Sequence, residues 1–61
     1  MDDYKDRVRQ ERDELAEKVR KLSDFLSCNP PVDALELGLL HNQLSVMQPY
    51  LEILDDRISR F

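Results

Sequence analysis

From Leu37 to the last residue the apolar positions keep strict helical time. Leu37, Leu40, Leu44, Met47, Leu51, Leu54, Ile58 and Phe61 follow one another at alternating steps of three and four. That is a heptad seam with every a and d position filled, and it predicts a helix over 34–60. Its start is marked three times. Asp33 can cap the free amides of the first turn, Glu36 stands where a capping box needs it, and Val32 and Leu37 flank the cap as a hydrophobic staple does.

An earlier segment, 3–27, carries a looser stripe of Tyr4, Val8, Leu15, Val19, Leu22 and Leu26, with Phe25 beside it. Where the next apolar residue is due, the chain has Glu11 and Arg12 instead. Its remaining faces hold opposite charges four residues apart (Asp3/Arg7, Glu14/Lys18, Glu17/Lys21), the pattern of a solvated helix. Between the segments lies "CNPPVD", the one strong loop signal, covering 28–33. Pro30 and Pro31 rule out a single long helix. Two helices of similar length on a short connection predict an all-α chain, 1–61, folded as an antiparallel helical hairpin.

Pro49 falls inside the second helix. With Leu44 at a, Pro49 takes f, the position farthest from the seam. Its missing amide orphans the Ser45 carbonyl, which water can satisfy on the outer side. The expectation is a continuous helix, kinked near Pro49.

The second helix has more apolar surface than one partner can cover. Leu39, Val46 and Ile53 lie seven apart, flanked by Gln43, Tyr50 and Arg57, and no charged residue occurs from Leu37 to Leu51. A hairpin of 61 residues buries little core and usually needs help. A lone Cys28 and a lone His41 offer neither a disulfide nor a zinc site. Assembly into a homo-oligomeric helical bundle is the expected solution; the alternative is an apolar second helix partly wrapped by a tilted first one. The interface residues would be Leu39, Val46, Met47, Tyr50, Ile53 and Leu54.

The net charge of −4, from 13 acidic and 9 basic residues, disfavours DNA as a partner. The chain lacks an apolar run long enough for a membrane span, and "MDDYKDR" is unlike a signal peptide, so a cytosolic setting is expected. No nucleophile and base can be paired, no phosphate loop is present, and the carboxylates lack metal-loop spacing. The expectation is therefore a protein that is not an enzyme, with no catalytic residues, cofactor or metal. Candidate chemistry reduces to binding. Gln43, Tyr50 and Arg57 offer an amide, an aromatic face and a guanidinium suited to phosphate, or else they fix helix register. Arginines interleaved with acids around Lys5, Arg7, Arg9 and Arg12 read as a salt-paired face, or as groups that converge on an anion once copies assemble.

The two helical segments also carry Arg7-Val8, Glu11 to Leu15, Lys21-Leu22, Phe25-Leu26, Leu39-Leu40, Gln43-Leu44, Met47 to Tyr50, Ile53-Leu54 and Arg57-Ile58. In these the chain resembles a family of small helical proteins from tailed phages and prophages, named after a crAss-like phage member. The "SCNPP" loop and Pro49 depart from that pattern. The resemblance implies a phage accessory protein acting in the cytoplasm of an infected bacterium. By analogy it suggests an anti-defence sponge that sequesters a nucleotide immune signal, a cyclic oligonucleotide or an ADP-ribose derivative, without cleaving it. Arg7, Arg12, Lys21, Gln43, Tyr50 and Arg57 are the ligand candidates. The alternatives are an inhibitor that lays its uncharged face on a host defence or transcription protein, and a purely structural phage accessory.

Overall fold

A computed structural model describes residues 3–61. Helix α1 runs Tyr4–Ser27 and helix α2 Ala34–Ser59. The Asp3 carboxylate accepts from the Lys5 amide at 3.3 Å, and the Asp33 carboxylate accepts from the Glu36 amide at 2.8 Å. Both caps satisfy donors that a helix start leaves free.

The connection reverses the chain in a few residues. After the last turn of α1 the Cys28 amide bonds the Phe25 carbonyl at 3.3 Å. Asn29 then takes φ 56°, a left-handed conformation that asparagine tolerates better than most side chains. Next the Val32 amide reaches back to the Pro30 carbonyl at 2.9 Å, a three-residue turn around Pro31. With Pro31 holding its φ near −65°, the loop points α2 back along α1.

The helices pack as an antiparallel hairpin, 45 × 18 × 15 Å overall. All eight seam positions of α2, from Leu37 to Phe61, are buried or half-buried. In α1 the positions withdrawn from solvent are Lys5, Val8, Arg12, Leu15, Ala16, Val19, Leu22 and Leu26. The seam of α1 is therefore continuous in position and polar in two places. Lys5, Arg12, Val19 and Leu26 occupy a, while Val8, Leu15 and Leu22 occupy d. Leu54 is the one fully buried side chain among the described residues, packed with Val8 and Leu15.

Helix α2 continues unbroken through Pro49, whose side is exposed. Two of the expected interface residues belong instead to the interior of the single chain. Leu54 has no accessible surface left, and Met47 packs against the core cluster, because both sit at d of the α2 seam facing α1. Leu39, Val46 and Ile53, at c, remain 54%, 67% and 56% exposed, and Tyr50, at g, is 42% exposed.

Candidate functional site

The polar break in α1 is where the helices are tied together. Arg12 reaches out of its a position to Asp55, Nε to carboxylate at 2.7 Å, and also touches Asp13 at 3.3 Å. The hydrogen bond to Asp55 is the main reason its guanidinium is held above its ordinary pKa. One residue earlier, the Glu11 carboxylate accepts the hydrogen bond of the Tyr50 hydroxyl. In an antiparallel pair the g positions of the two helices face each other, and Glu11 and Tyr50 are such a pair. That contact fixes which flank is which. Tyr4, Glu11, Lys18 and Phe25 of α1 line the same edge as Gln43, Tyr50 and Arg57 of α2, with the c positions just outside.

The six ligand candidates therefore do not meet at one point. Arg7, Lys21, Gln43, Tyr50 and Arg57 share the g and c side, strung along the hairpin, while Arg12 is turned to Asp55. Lys21 pairs with Glu17 at 3.8 Å, and Gln43 donates to the Met47 sulfur at 3.7 Å. Glu17 is engaged mainly by Arg20, whose hydrogen bond pulls its carboxyl below the ordinary value and raises the pKa of Arg20 in return. Lys21 lies nine residues beyond Arg12, roughly 13 Å along the axis, too far to share a small ligand with it.

A different cluster forms at the end opposite the loop. The rings of Tyr4 and Phe61 meet edge to face, centroids 5.7 Å apart and planes at 83°. Lys5 Nζ stands 5.9 Å from the centre of the Phe61 ring and Arg9 Cζ 5.4 Å, both within cation–π range. Tyr4, Arg57, Arg60 and Phe61 line an open concavity of about 360 Å³. Arg9 is paired with Asp6 at 3.2 Å, but Arg57 and Arg60 have no ion-pair partner among the described residues. The positive end of α1 and the negative end of α2 meet here and offset each other. Attraction for an anion must come from the guanidinium groups. A cup with aromatic walls and guanidiniums unpaired among the described residues suits a ring bearing phosphate.

Of these cup residues, the sequence pattern marks Arg57 as a ligand group and gives Tyr4, Arg60 and Phe61 no such role. The basic cluster Lys5, Arg7, Arg9 was a usable signal. What it lacked was the knowledge that Phe61 folds back onto it.

Among the described residues no group of His, Cys, Asp or Glu is arranged to hold a metal ion, and no helix is long and apolar enough to cross a membrane.

Comparison with known proteins gives the wider setting. The model of the Sequestin family matches residues 2–60. A 7.5 kDa protein of the denB–rIIB intergenic region of enterobacteria phage T4 is 40% identical over 60 residues, spanning 95% of this chain and 94% of the relative. No solved structure matches. The chain belongs to the Sequestin family, and its likeness to a small phage protein holds over almost its whole length.

Proposed function

With membership of the Sequestin family as the premise, we infer that this is a phage accessory protein of the infected cell's cytoplasm that sequesters a small phosphate-bearing signal of host defence. The cyclic oligonucleotides and ADP-ribose derivatives are the ligand class. The family's name speaks of sequestration, and the phage T4 relative supports a phage setting. The observation that carries the reading is the cup, where Tyr4 and Phe61 offer ring faces beside the guanidiniums of Arg57 and Arg60. An aromatic face takes a base and a guanidinium takes a phosphate, so capture needs no bond to be broken. One chain supplies only an open half of such a site, and assembly would close it.

Calorimetry against cyclic di- and trinucleotides and a cyclic ADP-ribose derivative tests this. At least one should bind, and Arg60→Ala should lose most of that affinity while keeping its helix content. Absence of binding across the panel would overturn the reading.

A second reading, a protein-binding inhibitor, is favoured by the exposed stripe of Leu39, Val46 and Ile53. An apolar helix face of this kind fits a groove on a partner protein. It predicts capture of a host protein and no heat with any nucleotide.

A further inference from the structure

Seven large apolar or aromatic side chains are exposed among the described residues, and six of them fall on one side of the hairpin. Tyr4, Phe25 and Tyr50 hold g positions, and Leu39, Val46 and Ile53 hold c positions, on the flank that the Glu11–Tyr50 contact defines. The surface excess is large. The chain exposes 4814 Å², against about 4100 Å² expected for a compact monomer of 7.2 kDa. Its radius of gyration is 14.2 Å, where about 10.5 Å is expected. A two-helix rod of 45 × 18 × 15 Å leaves more surface open than a compact chain of this mass, and its exposed apolar residues gather on one side.

The face is also its own complement. Leu39, Val46 and Ile53 are evenly spaced about Val46. An antiparallel copy of α2 laid across Val46 sets Leu39 level with the partner's Ile53, and Ile53 level with the partner's Leu39. The same alignment sets Gln43 within one residue of the partner's Tyr50. At each end it brings Arg57 within one residue of the partner's Glu36, opposite charges that have no ion-pair partner within their own chain among the described residues. Helix α1 does not match itself in this way. An antiparallel α1 pairing about Glu14 would oppose Arg7 to the partner's Lys21, like against like. The contact therefore runs through α2.

We propose that two copies of this hairpin form a two-fold dimer through the side of α2 bearing Leu39, Val46 and Ile53, with the axis at Val46. This deepens the capture reading by supplying its subunit contact. The antiparallel alignment carries the loop end of one hairpin to the open end of the other. Arg57 then lies level with the partner's Leu35, and Phe61 level with the partner's Pro31. Leu35, the seventh exposed apolar residue at 76%, comes to the partner's cup as well. Each half-open cup gains a wall from the other chain. The five donors of Arg57 allow it to hold the partner's Glu36 and still face the cup.

The test is cross-linking in a Cys28→Ser background with a short thiol-to-thiol reagent of about 8 Å, and it needs no ligand. Val46→Cys should convert almost completely to a species of doubled mass. Leu39→Cys and Ile53→Cys should each stay single alone and cross-link when mixed, because each is roughly 21 Å along the axis from its own copy but level with the other. Sedimentation of the unmodified chain should give twice the mass of 7.2 kDa. A monomer at tens of micromolar, or a dimer whose Val46→Cys form does not cross-link, overturns the proposal. Failure here with nucleotide binding intact would leave capture standing on a different assembly.

Discussion

Tyr50 gives its hydroxyl hydrogen bond to Glu11, 39 residues away in the chain, so the two g positions face each other across the hairpin. It leaves the ring of Tyr50 at the edge of the exposed apolar face, with its polar tip spent inside the monomer. Tyr50→Phe should therefore keep the fold and the assembly. It should lower stability by at most about 1 kcal/mol, the net worth of one exposed hydrogen bond. Chemical denaturation measures it. A collapse of the dimer would mean that the hydroxyl serves another subunit.

Leu54 and Leu39 lie on one helix and should behave in opposite ways. Leu54 is completely enclosed between Val8 and Leu15, so Leu54→Ala should cost about 2–5 kcal/mol and unfold much of the population at moderate temperature. Leu39 is half-exposed in the single chain, so Leu39→Ala should affect assembly first. Circular dichroism melts followed over a range of protein concentrations separate the two.

The seam, the capped start of α2 and the place of the loop were all legible in the sequence, because each is written locally: a period, a carboxylate three residues ahead of an amide, a pair of prolines. The meaning of Arg12 was not. The apolar stripe of α1 lapses there, yet the position remains in the seam and is answered by Asp55, 43 residues away. Such pairs depend on the offset between helices, which the Asn29–Val32 turn sets and no periodicity states. The cup was hidden for the same reason. Tyr4 and Phe61 are at the two ends of the sequence, and only the antiparallel return places their rings 5.7 Å apart.

Pro49 sits on the exposed side of a helix that continues on both sides of it. Nothing in the hairpin interior needs its ring, so Pro49→Ala should stabilise the chain, by up to about 3 kcal/mol from helix propensity alone. A lower melting temperature would show that the helix shape at Pro49 supports a contact outside the single chain.

The acid end of the stability curve should carry a signature of Glu17. Arg20 holds its carboxyl below the ordinary value of 4.5 in the folded chain, so the pair contributes above that value. The contribution is lost as pH falls through the lower folded value. Melting temperatures from pH 5 downward should therefore fall more steeply for the native chain than for Glu17→Gln. Parallel curves would mean that Arg20 and Glu17 are no better paired folded than unfolded.

The most direct measurement of the central claim is depletion and recovery. The purified protein is mixed with a cyclic oligonucleotide or cyclic ADP-ribose derivative, the free pool is filtered off and quantified, and the retained fraction is released by heat. The account predicts that the free ligand falls in proportion to added protein and that denaturation returns it chemically unchanged. A free pool that stays constant at excess protein, or a ligand returned as a cleaved product, would contradict it.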